Sequence, residues 1–350
     1  MKNHVKTGLR LFVLAALLSI TPVVHSDEAE SLEQQASKLS RENQFEQAAE
    51  LYLKISEICR AGLASDPENT GYKRTLKNAD TNYLYNKGQR AYLKMKEAEK
   101  AADRSDFDAA SAEFEQAASM YLELLKIRDE KAWKGNYEYC LDQPGYRMIR
   151  YAERLMKEKK YGPASDYFRK GMEATRNTVK ILGERKGFLQ NIEYANHFYS
   201  VSRFEDQLEK KFPAPPFQLE SFSGTPVALS DFSGKIILLE FWALWCPACV
   251  EAGAELKKLY SKYNQKGLIV LAVSVDKISD WKKLSDDKIR DRSKTDYGYP
   301  VLWGTQQVME DYGNFEAIPV FILIDRQGNL YKRFFSDEWS LLENEIEGIL

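Results

Sequence analysis

Two cysteines, Cys246 and Cys249, are separated by two residues and follow an apolar, aromatic run. Two thiols at this spacing can form a reversible disulfide, act as a structural staple or supply two zinc ligands. Zinc needs four ligands, and the sequence has 3 histidines, of which His4 and His25 lie near the N-terminus. A disulfide across so short a loop restricts the unfolded chain very little. The pattern therefore favours redox chemistry, with no metal and no cofactor.

The chemistry assigns different roles to the two thiols. At the first position of a helix, unpaired backbone N–H groups favour a thiolate, so Cys246 is predicted to be the nucleophile. Cys249, one turn later and more buried, is predicted to resolve the mixed disulfide. Trp242 and Trp245 are interpreted mainly as packing residues, and Trp245 is expected to shield the dithiol from water and to contact substrate.

The surrounding patterns predict the elements that hold the two thiols. KIILLEFWALW and GLIVLAVSVD are apolar, β-branched runs typical of buried strands, and the segment between them has helical spacing. IPVFILIDRQGNLYKRFF predicts two more strands joined by a turn at 326–329. The order strand, helix, strand, helix, strand, strand, helix predicts an α/β domain with a central mixed sheet at residues 217–350. The cysteines then lie where a strand ends and a helix begins.

FWALWCPAC followed by IPVFILIDRQGNL resembles the thioredoxin superfamily, and the segment from PPFQLESFSG to the first cysteine resembles its exported TlpA and ResA branch. The similarity covers about residues 213–350. It implies that Pro319 follows a cis peptide bond and lies against the dithiol, and that Ile318 offers its backbone to substrate. It also implies that Glu240 occupies the position of thioredoxin's buried aspartate, which exchanges protons with the resolving cysteine.

Burial would raise the pKa of Glu240 towards neutrality, which suits acid-base catalysis. The alternative is that Glu240 reaches solvent or forms an ion pair. The chain also departs from the ResA branch, because Ala252 stands where that branch usually carries an acid. The residues between the cysteines do not include the histidine of strongly oxidising relatives, which favours a reductase over an oxidase or isomerase.

Residues 27–210 are predicted to form an all-α domain, because apolar residues recur there at helical spacing. An aromatic residue, an alanine three residues later and an aromatic seven residues later recur, beginning at Phe45, Phe107 and Tyr161. This motif resembles the second helix of a tetratricopeptide repeat, although intervals of 62 and 54 residues require longer helices or additional hairpins. Such an array would offer a surface to a protein partner, whereas a plain bundle would use the aromatics as core.

The N-terminal segment predicts export. Lys2, Lys6 and Arg10 precede an apolar run of ten residues, so residues 1–26 are interpreted as a cleaved signal peptide, with an uncleaved anchor as the alternative. In a periplasmic or secreted compartment, Cys59 and Cys140 could form a disulfide or remain separately buried thiols. Residues 211–216 are predicted to be a proline-rich linker.

The sequence therefore predicts an exported thiol-disulfide oxidoreductase with a helical domain in front. Its expected partners are protein thiols or disulfides, a membrane or soluble electron donor, and a possible protein partner of the helical domain. A formal charge of −2 gives no basic footprint for nucleic acid. The alternative is a helical binding protein whose redox domain is vestigial or redox-sensing.

Overall fold

The computed structural model describes residues 22–278, 281, 283–285, 287–289 and 297–350. The chain divides into two compact units, residues 1–144 and 145–350. Residues 1–21 of the signal segment predicted at residues 1–26 lie outside the described residues. Among the helices of the described part, none combines the length and apolar character needed to cross a bilayer.

Seven helices precede the sheet in the described chain, and together with the mixed sheet they confirm the predicted fold class. Helix α3 has 34 residues and α5 has 27, so long helices account for the wide spacing of the recurring motif. The division between compact units falls inside α5, which contains Pro144, so the second unit includes α6 and α7 as well as the sheet. The helices are α1 (Pro22–Arg41), α2 (Phe45–Ser65), α3 (Thr70–Asp103), α4 (Phe107–Ile127), α5 (Lys131–Lys157), α6 (Tyr161–Leu182) and α7 (Lys186–Glu209).

The recurring motif begins a helix at each of its three occurrences, because the turn before it has the same geometry each time. Asn43, Ser105 and Lys159, each two residues before the helix, have φ of 62°, 63° and 58°. The next backbone N–H then donates to the carbonyl five residues earlier, closing the preceding helix. The alanine of each motif is buried, so the neighbouring helix can approach closely at Ala48, Ala110 and Ala164.

Cys59 and Cys140 are separate, free and buried thiols, which answers the question left open by the sequence. Cys59 lies in α2 within an apolar cluster that includes Tyr52 and Tyr72. Cys140 lies in α5 within another cluster, which includes Phe114. Each thiol therefore behaves as a small apolar side chain.

The second unit contains a five-stranded mixed sheet in the order β5-β4-β3-β6-β7. Strands β3, β4 and β5 are parallel, whereas β6 and β7 are antiparallel to their neighbours. The short strands β1, β2 and β5 were not predicted from the sequence. The strands are β1 (Gln218–Glu220), β2 (Pro226–Ala228), β3 (Ile236–Trp242), β4 (Leu268–Ser274), β5 (Val301–Trp303), β6 (Val320–Ile324) and β7 (Leu330–Phe335). The helices of this part are α8 (Pro247–Tyr263), α9 (Gln306–Asp311) and α10 (Trp339–Ile349).

The segment predicted as a linker is hydrogen-bonded to the edge of this sheet. The backbone N–H of Leu330 donates to the carbonyl of Phe212 at 2.8 Å, and that of Ala214 donates to Gly328 at 2.9 Å. The hydroxyl of Tyr312 also donates to the carbonyl of Pro215 at 2.7 Å. The segment after α7 is therefore attached to strand β7, to the turn before it and to Tyr312.

Candidate active site

Cys246 is the N-cap residue of α8, directly after the central strand β3 and its short connection. Pro247 occupies the first turn of α8, where the missing backbone N–H costs nothing. The Sγ atom of Cys246 accepts a hydrogen bond from the backbone N–H of Cys249 at 3.2 Å. A negative charge on this sulfur would therefore receive an N–H bond and the favourable end of the helix dipole.

Cys246 and Cys249 form a disulfide, with 5.3 Å between their Cα atoms. Both residues are buried, Cys246 at 5% exposure and Cys249 at 1%, so Cys246 is the slightly more exposed of the two. One helical turn separates them, which lets the second sulfur reach back to the first.

The peptide bond between Ile318 and Pro319 is cis. The carbonyl oxygen of Ile318 lies 3.8 Å from Sγ of Cys246. Because this sulfur is in a disulfide and carries no proton, the distance describes a contact and not a hydrogen bond. The structure thus brings Ile318 and Pro319 to the dithiol from more than seventy residues away.

Glu240 lies within β3, where its backbone is paired with Ala272 on one side and with Phe321 on the other. The residue is 1% exposed, so the alternative that it reaches solvent is wrong. Its Oε1 atom has no hydrogen-bond partner among the described residues. Desolvation by burial raises the pKa of Glu240 to about 8. The carboxyl therefore changes protonation near neutral pH.

Glu240 and Cys249 line the same cavity, which has a volume of about 590 Å³. This volume is enough for several water molecules, so a proton could travel between the two side chains through water. Val250 at the cavity is 62% exposed, which leaves an apolar surface beside the dithiol. The other lining residues are Trp242, Leu244, Gly253, Ala254, Lys257, Tyr297 and Tyr299.

Tyr299 is a member of this site that the sequence did not indicate. It is buried, and burial together with the charge of Glu240 raises its pKa. Trp242 is also buried, and its ring meets Tyr297 edge to face at 5.1 Å. These rings line the cavity together with Lys257, and it is the burial of Glu240 that raises the cost of ionising its carboxyl.

Trp245 lies beside the nucleophile position and is partly exposed. Its indole N–H donates to the carbonyl of Trp281 at 2.9 Å, and the two rings are stacked with 6.3 Å between centroids. The Nζ atom of Lys283 lies 3.8 Å from the centroid of Trp245. The contacts with Trp281 and Lys283 therefore fix the ring of Trp245. The sequence did not predict these contacts.

Asp276 fixes the connection between β3 and α8. Its Oδ2 atom accepts hydrogen bonds from the backbone N–H of Leu244 at 2.8 Å and from Oγ of Ser274 at 2.7 Å. Leu244 precedes Cys246 by two residues, so this buried carboxylate holds the path of the chain into the dithiol. Asp276 comes two residues after the end of β4. This position of an acid just after a buried strand is the one signal in the sequence that could have identified it.

Among the described residues, no group of three or more histidine, cysteine, aspartate or glutamate side chains is arranged to hold a metal ion. The arrangement that the structure does present is a disulfide at a helix N-terminus, a cis Ile318–Pro319 peptide bond whose carbonyl oxygen contacts Cys246, and a buried carboxyl that shares a cavity with Cys249. This combination can exchange disulfides and move a proton.

Comparison with known proteins agrees with this class of site. Residues 211–333 match the model of the AhpC/TSA family. The thioredoxin-like protein YneN of Bacillus subtilis is 31% identical over 134 residues, covering 38% of this chain and 75% of the relative. The thiol-disulfide oxidoreductase ResA of Geobacillus kaustophilus is 34% identical over 120 residues, covering 33% of this chain and 64% of ResA.

Among solved structures, the thioredoxin domain of a thiol-disulfide oxidoreductase from Bacteroides vulgatus is 26% identical, with a TM-score of 0.33. The match covers 39% of this chain and 95% of that domain. Through its C-terminal part, the chain belongs to the thioredoxin-like family of thiol-disulfide oxidoreductases. The matched regions of the two relatives and of the solved domain each cover less than two fifths of this chain, as does the family match.

Proposed function

We propose that the protein reduces disulfide bonds in other proteins, with Cys246 as nucleophile and Cys249 as resolving thiol. The observation that carries the exchange reaction and the roles of the two thiols is the hydrogen bond from the Cys249 N–H to Sγ of Cys246 at the N-terminus of α8. It stabilises a thiolate on the first sulfur, which favours attack by Cys246.

The reaction begins with the reduced dithiol. The Cys246 thiolate attacks one sulfur of the substrate disulfide, forms a mixed disulfide and releases the other substrate sulfur, which takes up a proton. Cys249 loses its proton and attacks Sγ of Cys246, which forms the Cys246–Cys249 disulfide and releases the second substrate sulfur. Two electrons pass to the substrate in each turnover, so an electron donor must return two electrons to the enzyme.

Glu240 is proposed as the base that accepts the proton of Cys249. Its place in the same cavity as Cys249 and its pKa of about 8 support this role, because a base works best when its pKa is near the working pH. Trp245, Ile318 and Pro319 are proposed to contact substrate. The carbonyl of Ile318 near the attacked sulfur supports strand-like pairing with an extended peptide.

The reducing direction and the exported compartment complete the proposal. The absence of histidine between the cysteines supports a reductase, for which we expect a reduction potential below about −200 mV. The basic and apolar N-terminal sequence supports export to the periplasm or secretion. In that compartment the electron donor would be a membrane protein or a second soluble thiol protein.

The helical region is proposed to bind a protein partner. The three equivalent turns support the interpretation as a tetratricopeptide-like array. Within the first unit, a cavity of about 430 Å³ is lined by several aromatic rings, including Tyr85, Tyr92 and Trp133, with Tyr85 half exposed. This surface also favours the second candidate function, a binding protein whose dithiol has no turnover.

Insulin reduction tests the proposed activity. The full chain should reduce insulin in the presence of dithiothreitol, and Cys246→Ser should reduce it no faster than dithiothreitol alone. Equal rates for the wild-type chain and Cys246→Ser would exclude the reductase. A Cys249→Ser variant expressed in the native compartment should capture substrates as mixed disulfides on Cys246, whereas an empty trap would favour the binding protein.

A further inference from the structure

We propose that helix α7 positions residues 310–318, which comprise the end of α9 and the loop after it and are called the loop 310–318 below, and thereby sets the affinity for extended protein substrates. This inference rests on the proposed function, because it concerns the loop whose last residue, Ile318, would pair with substrate. Helix α7 and the loop belong to the same compact unit. Three residues of α7, His197, Arg203 and Phe204, contact successive parts of the loop.

The first contact fixes the beginning of the loop. The Nη2 atom of Arg203 lies 3.1 Å from Oδ1 of Asp311, at the end of α9, and 3.5 Å from the carbonyl oxygen of Glu310. Arg203 and Asp311 are each only about one third exposed or less, so water screens this ion pair less than it would a surface pair. The end of α9 is therefore attached to α7 by charge as well as by packing.

The second contact is a close approach between the ring of Phe204 and the backbone at Gly313. Phe204 is fully buried, and its ring also lies near that of Tyr312, with 6.1 Å between centroids. Gly313 has a φ of 102°, and a Cβ atom there would lie 2.9 Å from Cδ1 of Phe204. Only glycine fits both this backbone conformation and this space.

The third contact lies nearest to the dithiol. The side-chain amide of Asn314 is 3.2 Å from Nδ1 of His197, and Nε2 of His197 is 3.2 Å from Oε1 of Glu316. An amide N–H donated to Nδ1 leaves the ring proton on Nε2, where it can be donated to Glu316. Only Ala317 separates Glu316 from Ile318, so this contact ends two residues before the carbonyl that meets Cys246.

The sheet and the segment after α7 hold the same loop from the other side. The ring of Phe315 meets Phe241 of β3 with 4.8 Å between centroids, and Tyr312 donates to the carbonyl of Pro215. The loop therefore lies between α7 and the sheet. Loosening the α7 side would let the backbone of Ile318 shift, and a peptide that pairs with it would bind less tightly.

A small disulfide does not need that backbone, because its sulfur has only to reach Sγ of Cys246. The two kinds of substrate should therefore respond differently to changes in α7. The test uses the pre-reduced full chain in single-turnover oxidation, followed by tryptophan fluorescence. Insulin serves as the extended substrate and hydroxyethyl disulfide as the small one.

In Arg203→Gln, the insulin concentration for half-maximal rate should rise roughly tenfold, while the limiting rate changes less than about twofold. The rate with hydroxyethyl disulfide should also stay within about twofold. Arg203→Lys keeps the charge and should restore most of the affinity for insulin. Gly313→Ala pushes on Phe204 from the loop side and should reproduce the pattern independently, should Arg203→Gln fail to fold.

Arg333→Gln is the matched control. Arg333 lies on β7 and forms an ion pair with Glu205 of α7 at 2.6 Å, away from the loop 310–318. The Arg333→Gln substitution should lower the melting temperature while leaving the ratio of the rates with insulin and hydroxyethyl disulfide unchanged. The inference would be overturned, and the proposed function would stand, if Arg203→Gln lowered the rates with both substrates equally. The same holds if Arg333→Gln changed the ratio of the two rates as much as Arg203→Gln does. A wild-type chain that reduces neither disulfide would overturn the proposed function and the inference with it.

Discussion

The two pairs of cysteines in this chain differ in surroundings much more than in exposure. Cys246 and Cys249 are 5% and 1% exposed, and Cys59 and Cys140 are 0% and 1% exposed. The first pair lies at a helix N-terminus, whereas Cys59 and Cys140 lie within helices and contact apolar side chains.

The thiol pKa values follow from these surroundings. Burial raises the pKa of Cys140 to about 12, and burial with nearby carboxylates raises that of Cys59. A thiolate on Cys246 would instead receive an N–H hydrogen bond. Low exposure therefore makes a thiol inert only when no dipole compensates for the loss of water.

The largest expected effect is on alkylation of the reduced chain. At pH 7, iodoacetamide should modify Cys246 at least about a thousandfold faster than Cys140, because the thiolate fraction differs by several orders of magnitude. Quantitative mass spectrometry of cysteine peptides after short pulses measures both rates. Alkylation of Cys140 at a rate similar to that of Cys246 would show that the two pairs of thiols do not differ in reactivity.

The next effect concerns Glu240, the buried carboxyl that lines the same cavity as Cys249. Glu240→Gln cannot accept a proton, so resolution of the mixed disulfide by Cys249 should slow about a hundredfold near pH 7. Rapid mixing of the pre-reduced variant with a peptide disulfide, with acid quench, follows the mixed intermediate. The rate of its formation by Cys246 is the internal control, and an unchanged resolution rate would show that Glu240 is only packed there.

Glu240 is also expected to make stability depend on pH. The folded-state pKa of Glu240 is about 8 against an ordinary value of 4.5, so the folded state binds the extra proton between these values. The stability of the oxidised wild-type chain relative to Glu240→Gln should therefore fall as pH rises from about 5 to 8, by at most about 5 kcal/mol. Urea unfolding at pH 5, 7 and 9 measures this difference, and parallel profiles would contradict it.

The smallest effect on activity is expected at the second pair. Cys140→Ala removes a buried sulfur from an apolar cluster, so the free energy of unfolding should fall by about 1 to 2 kcal/mol. Insulin reduction should stay unchanged, because the thiol takes no part in exchange. Urea unfolding and the insulin assay together check this, and a loss of turnover in a folded Cys140→Ala chain would mean that the two pairs are connected.

The sequence predicted the features that depend on local patterns. The starts of α2, α4 and α6, the strands β3, β4, β6 and β7, and the site between β3 and α8 all follow from periodicity and turn residues. Strand β5 was missed because its three residues carry no recognisable period.

Contacts between distant segments could not be predicted from the sequence. Asp276 acts on Leu244 across 32 residues, and Arg203 reaches Asp311 across 108. No periodicity encodes such a hydrogen bond, because it depends on how separate elements pack. For the same reason, the sequence left open whether Cys59 and Cys140 meet.

The segment after α7 also affects whether the edge of the sheet can pair with another copy of the chain. Strand β7 is an edge strand of the sheet, and free N–H and C=O groups on such an edge invite pairing with another chain. The carbonyl of Phe212 accepts the N–H of Leu330 and thus covers the beginning of this edge. A chain begun at residue 217 would lose this acceptor, so we expect it to aggregate more readily through the uncovered edge.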